Sequence, residues 1–122
     1  MKINSLGIHH VCIKVPDLKE SVDFYTKTMN YEVRLEWDGG AMLKAPDGTH
    51  LELFPVDGEE GYAHVAYRCD DVDEAYRLAV AAGCASVKEP CSLTIASKPP
   101  LDVRMAFVAD PSGNTIELFH EV

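Results

Sequence analysis

Basic residues are scarce in this 122-residue sequence: eleven lysines and arginines stand against twenty aspartates and glutamates, for a net charge of −9. That balance argues against a surface that tracks a phosphate backbone or an anionic bilayer, so neither nucleic acid nor membrane is expected as partner. Long apolar runs are missing as well. No stretch approaches the ~18 residues that cross a bilayer, and the opening MKINSLGIHHVCIKVPD lacks the apolar core of a secretory signal. Cysteine is sparse: Cys12, Cys69, Cys84 and Cys91 form no CxxC pair and no small-domain framework. Reduced thiols and a cytoplasmic location are the expectation, with a Cys84–Cys91 disulfide left open. What is present is 47% hydrophobic and 25% charged residues, enough for one compact unit with a modest core.

The sequence repeats itself. His10-Val11 recurs as His64-Val65, 54 residues on, and the same offset sets Lys14 against Arg68, Asp17 against Asp71 and Glu20 against Glu74. Gly48-Thr49-His50-Leu51-Glu52-Leu53-Phe54 then matches Gly113-Asn114-Thr115-Ile116-Glu117-Leu118-Phe119 at an offset of 65. Two matches in the same order predict two related modules, residues 1–58 and 59–122, with eleven extra residues in the second. Neither module buries enough surface to fold alone.

Each module reads as βαβββ. Ile8 to Val15 alternates as a strand, Asp17 stands at an N-cap with Glu20 three positions on, and Leu18, Val22, Tyr25 and Met29 form one helical stripe that Asn30 ends. Strands follow near 31–37, 41–45 and 49–54, separated by Asp38-Gly39-Gly40 and Pro46-Asp47-Gly48. The second module repeats this with a strand over 62–69, a helix from Asp71 to Ala82 stopped by Gly83, and strands near 84–88, 103–109 and 114–120. The extra residues fall within Cys84 to Leu101, as a lid or a surface excursion. The fold class is α+β: two βαβββ modules making a curved eight-stranded mixed sheet, one face apolar for the helices and one lining a cup.

Four side chains share the cup face: His10 and Glu52 from the first module, His64 and Glu117 from the second. Two imidazoles and two carboxylates suit a first-row divalent ion, and a six-coordinate ion would keep two positions open for a substrate. A strand histidine taken singly is more often an ordinary hydrogen-bonded residue; equivalence across the repeat favours the metal reading. His9 alternates to the opposite face with Val11, and its repeat partner is Ala63, so it is set aside. His50, beside Glu52, is read as half-exposed rather than as support for a ligand. Lys14 and Arg68 are candidates for an anionic substrate or ion-paired strand ends. Phe54, Phe119 and Tyr62 are candidate pocket walls, with packing the plainer reading. Trp37 fits either a pocket lining or a subunit contact.

With these motifs the chain resembles the vicinal-oxygen-chelate superfamily, the glyoxalase, bleomycin-resistance and extradiol-dioxygenase group. The marks are His10 to Leu18 with Asp23-Phe24-Tyr25, Leu51-Glu52-Leu53, Ala63-His64-Val65, Ala106-Phe107-Val108 and Asp110-Pro111-Ser112-Gly113-Asn114 leading to Ile116-Glu117-Leu118. The His/Glu/His/Glu set looks like glyoxalase I (lactoylglutathione lyase) of the bacterial type, which implies nickel or cobalt ahead of zinc, a homodimer and glutathione as thiol. Methylmalonyl-CoA epimerases usually carry glutamine at the Glu52 position, and bleomycin-binding relatives lack the ligands. Lys14 and Val56 stand where glutathione-using members carry arginine and asparagine. The resemblance implies a lyase acting through an enediolate on the hemithioacetal of a 2-oxoaldehyde, with Glu117 as base and Glu52 as second candidate. An epimerase on another small substrate and a small-molecule binding or resistance protein are the alternatives.

Overall fold

A computed structural model describes residues 2–56 and 61–122. Its elements are β1 (Ser5–Val15), α1 (Leu18–Lys27), β2 (Glu32–Trp37), β3 (Gly40–Lys44), β4 (His50–Pro55), β5 (Gly61–Cys69), α2 (Val72–Ala81), β6 (Ala85–Ile95), β7 (Leu101–Ala109) and β8 (Thr115–Glu121). The order is βαβββ twice over, and the α+β class with two such modules is as expected. The expected module boundary at 58/59 lies outside the described residues. Contacts group the chain into two compact units: residues 10–63 with 96–100, and residues 1–9, 64–95 and 101–122.

In the first unit the strands run β2-β3-β4-β1, antiparallel except for the parallel β4–β1 pair. Asp17 caps α1 as its spacing predicts, in extended backbone (φ −134°), its Oδ1 accepting from the Glu20 N–H at 3.0 Å. The helix lays Leu18, Val22 and Tyr25 on Val15, Ala41, Leu43, Leu51 and Leu53. Leu43 and Leu53 are wholly buried, each worth about 1.5–3 kcal/mol relative to exposure. Met29, expected on this stripe, lies beyond the helix end and is half exposed. Helix α1 stops at Lys27 with Thr28 as C-cap, and Asn30 then takes a left-handed φ of 64°. One feature of β2 has no counterpart in its alternation pattern. Val33 pairs with Leu43 but Leu35 with Met42, so Arg34 is the extra residue of a bulge.

The second unit repeats the plan as β5-β8-β7-β6, with β5–β8 parallel and the rest antiparallel. Asp71 caps α2 through the Glu74 N–H at 3.0 Å, as Asp17 does 54 positions earlier. The two final hairpins also match. Gly48 and Gly113 sit at φ 88° and 89°, and each donates its N–H across the turn, to Ala45 O and Asp110 O respectively. Helix α2 covers Cys69, Ala106 and Leu118, while Ala66, Val103 and Phe119 pack on the other face of the strands.

The extra residues of this module are mostly strand rather than loop. Most of them extend β6 to Ile95, eleven residues paired with β7 through two register shifts. Strand β6 ends the order of its sheet, and Pro90 falls at the shift between Lys88 and Cys91, where a missing N–H does least harm. Residues 96–100 group with the first unit, where Lys98 bridges to Glu36.

Candidate metal centre

The parallel pairing inside each module is what brings a histidine to a glutamate. A module's last strand returns beside its first, so a histidine near the middle of one and a glutamate in the middle of the other become neighbours. The registers are the same in both: Glu52 pairs with Cys12, two residues past His10, and Glu117 pairs with Ala66, two residues past His64. Residues two apart on a strand share a face. Both glutamates therefore stand diagonally beside their histidines, on the face away from the helices.

In the first unit His10 Nε2 lies 3.7 Å from Glu52 Oε1. His10 is 1% exposed and Glu52 8%, deep enough that the carboxylate needs a cation or donors. In the second unit His64 Nε2 lies 3.0 Å from Glu117 Oε1, with Glu117 3% exposed. The His64 ring also meets Phe107 edge-on at 5.3 Å. Neighbouring ligands that each sit ~2.0–2.2 Å from an ion are roughly 3–3.5 Å apart. The His64–Glu117 pair meets that spacing and the His10–Glu52 pair comes within a few tenths of an ångström of it. Imidazole nitrogen with carboxylate oxygen is also a donor set that first-row divalent ions accept, so the residues present fit a metal.

The other expected site residues divide. Phe54 follows Glu52 by two on the same face and meets Trp37 edge-to-face at 5.6 Å. The Trp37 ring in turn lies against Gly40, where an added Cβ would fall 2.6 Å from Leu53 O and 2.7 Å from a ring carbon of Trp37. Phe119 is buried in the cluster beside Ala66 and Val103. Lys14 and Arg68 are both half-buried. Tyr62, offered as a pocket wall, is largely exposed.

Three residues near the centre escape the sequence pattern. His50 is 7% exposed rather than half-exposed, and its Nε2 lies 2.9 Å from Arg34 Nη1. A guanidinium only donates, so the imidazole nitrogen accepts. Arg34 itself was hidden because a bulge cannot be read from alternation. His9 is buried like His10, its Nε2 is 2.6 Å from Glu121 Oε2, and its ring contacts Phe119 at 4.5 Å. Glu121 and Phe119 share the Glu117 face of β8, so His9 reaches groups that strict alternation assigns to the other side.

A cavity of about 1020 Å³ lies elsewhere, between Leu18 and Val22 of α1 and the Trp37–Gly40 turn; none of the four candidate ligands lines it.

The class defined so far is a duplicated βαβββ protein with one His/Glu pair per module, its glutamate buried. The family model for the Glyoxalase/Bleomycin resistance protein/Dioxygenase superfamily matches residues 7–118, and the chain belongs to that superfamily. Comparison with curated protein sequences finds no match. Among solved structures it is similar to methylmalonyl-CoA epimerase from Mycobacterium tuberculosis, with a TM-score of 0.80, 23% identity and coverage of 100% of this chain and 93% of that one. The Streptomyces coelicolor methylmalonyl-CoA epimerase in complex with 2-nitronate-propionyl-CoA gives a TM-score of 0.74 at 24% identity, covering 96% and 98%. A Mn(II)-bound glyoxalase from Novosphingobium aromaticivorans gives 0.74 at 22% identity, covering 95% of this chain and 39% of that chain. At these identities the likeness is one of fold. Among the described residues no helix is long and apolar enough to cross a membrane.

Proposed function

We propose that this chain is a metal-dependent enzyme that moves a proton at a carbon next to a carbonyl, with His10, Glu52, His64 and Glu117 as the ligands of one divalent ion. The observation that carries the reading is the equivalence of the two pairs. Each module sets a buried glutamate diagonally beside its histidine in the same register, so the same imidazole and carboxylate donors recur at equivalent points, a set that first-row divalent ions accept. When bound, the ion would act as a Lewis acid that stabilises negative charge on the carbonyl oxygen. Nickel, cobalt, zinc and manganese are the ions to test.

The chain's own residues supply the rest. Glu117 takes the proton from the substrate carbon, and the proton is then delivered to the adjacent carbon or to the opposite face of the same one, while His64 and Phe107 hold the neighbourhood of Glu117 in place. Glu52 is the second candidate for base. The two acids are distinguishable because removing the base stops abstraction of the substrate proton, whereas removing a mere ligand acts through loss of the metal.

The first reading of the reaction is epimerisation of a small acyl thioester. It is supported by the epimerases among the structural neighbours, which align over nearly the full length of both chains. The second is the glyoxalase I-like conversion of a thiol hemithioacetal, favoured by Glu52, since a carboxylate at that position is the glyoxalase pattern. Both begin with the same abstraction of a proton from carbon and differ in where it returns: to the opposite face of the same carbon in the epimerisation, to the adjacent carbon in the hemithioacetal conversion. A homodimer belongs to this reading as well.

Incubation of the metal-loaded protein in D₂O with methylmalonyl-CoA, and separately with methylglyoxal and a thiol, tests the proposal by deuterium incorporation at the acidic carbon. Exchange that Glu117→Gln abolishes while metal stays bound is expected. Exchange unchanged in Glu117→Gln removes Glu117 as base, and no exchange with either substrate removes the enzyme reading for both.

A further inference from the structure

We infer that the cavity between α1 and the Trp37–Gly40 turn is a second ligand site, and that it takes a short peptide with free termini and an aromatic side chain. The site is separate from the candidate metal centre, and nothing in the inference depends on a metal.

The cavity belongs wholly to the first unit. At about 1020 Å³ it is large enough for a ligand of several residues. Leu18 and Val22 of α1 and the Trp37 ring supply its apolar wall. Gly39 and Gly40 give the ring room to lie against the turn; a Cβ at Gly39 would already sit 3.7 Å from it. Lys98 borders the cavity from another part of the chain and is fixed in place by backbone bonds. Its N–H donates to Glu36 O at 2.7 Å, and Glu36 N–H donates back to Lys98 O at 3.3 Å.

The charges on the wall select the ligand. Asp23 is engaged by Lys27, one helical turn on, at 3.9 Å. The side chains of Lys19, Glu36, Asp38 and Lys98 also line the cavity, and they make no hydrogen bond or ion pair among the described residues. Glu36 and Lys98 stand directly opposite across an antiparallel bridge, where opposite charges ordinarily meet. Their charged ends stay apart instead. Two carboxylates and two ammoniums are thus available to one cavity. A purely cationic ligand would bring a like charge to Lys19 and Lys98, and a purely anionic one would do so to Glu36 and Asp38. A molecule with an ammonium at one end and a carboxylate at the other answers both pairs. Exposed ion pairs contribute little singly, so the larger share of binding must come from apolar contact, and an indole wall favours an aromatic ring.

The test titrates the full chain with alanyl-phenylalanine, on metal-loaded and on chelator-stripped protein. The readout is the fluorescence of Trp37, the one tryptophan, excited where phenylalanine does not absorb. Three controls each lack one feature: the N-acetyl dipeptide has no ammonium, the dipeptide amide has no carboxylate, and dialanine has no ring. Alanyl-phenylalanine is expected to give a saturable change in both preparations, with each control about fivefold weaker or more. Glu36→Gln should weaken the dipeptide about fivefold without weakening the N-acetyl form, and Lys98→Gln should do the same without weakening the amide. Both side chains are exposed, so urea midpoints should stay at the wild-type value. No saturable change up to about 10 mM overturns the site. Equal affinity for the dipeptide and its two blocked forms overturns the charge reading. A dipeptide affinity that neither substitution alters puts the binding elsewhere and overturns the assignment to this cavity.

Discussion

Gly40→Ala is the substitution whose cost can be worked most directly. Gly40 needs no special backbone conformation; its hydrogen keeps open a space that two groups close. The added methyl would lie 2.6 Å from Leu53 O and 2.7 and 2.9 Å from two ring carbons of Trp37. The carbonyl belongs to β4, between β3 and β1, and has little room to retreat. To restore ordinary contact the strands must part or the indole must lift by roughly 0.7–0.8 Å, an overpacking cost of about 1–3 kcal/mol. Lifting the indole also breaks its edge-to-face contact with Phe54, about 0.5–1.5 kcal/mol more. The sum, about 2–4 kcal/mol, is a large share of the stability of a domain this size. Trp37 is the one tryptophan in the chain, so urea unfolding followed by fluorescence reports both the loss of stability and the displaced ring. Repeating Gly40→Ala in a Trp37→Ala background should recover the part due to the ring and leave the part due to Leu53 O. A cost below about 0.5 kcal/mol with unchanged native emission would refute the packing argument.

Asp17→Ala and Asp71→Ala should each destabilise by about 1 kcal/mol, seen as a shifted urea midpoint with unchanged slope, because each removes one cap acceptor. A cost at only one of them would contradict the equivalence of the modules. Leu53→Ala, at a side chain with no exposure, should cost about 2–5 kcal/mol in the same assay. Asp110 accepts N–H groups from Asn114 and Ser112, and these bonds hold its carboxyl below the ordinary 3.8. Its contribution to stability is therefore present above pH 3.8 and lost as pH falls through the lower folded value. The stability curves of wild type and Asp110→Asn should converge on acidification over that window, and a constant gap would show that the turn gains nothing from the charge.

Much of this was legible because repetition and alternation are local signals. The caps at Asp17 and Asp71 and the turns ending in Gly48 and Gly113 all fall where spacing puts them. Alternation also gave the face shared by His10 with Cys12 and by Glu52 with Phe54. It fails where a strand departs from a period of two. The bulge at Arg34 and the neighbouring burial of His9 and His10 are invisible to a two-residue count. The length of β6 was missed for another reason: Pro90 and the serines read as loop, but an edge strand tolerates them at its register shifts. Met29 fell off the helical stripe because helix ends are set by capping hydrogen bonds, and Thr28 N–H closes α1 on Phe24 O one residue earlier. The nearness of each histidine to its glutamate depends on parallel strands far apart in sequence; only the repeat hinted at it.

The central claim is that both His/Glu pairs serve one ion, and metal stoichiometry tests it most directly. Titration of chelator-stripped protein with a divalent ion should saturate at one equivalent per chain. His10→Ala and His64→Ala should each weaken binding sharply, although the two residues lie in different modules. Two equivalents per chain, or full-affinity binding that survives either substitution, would mean that the pairs do not share an ion.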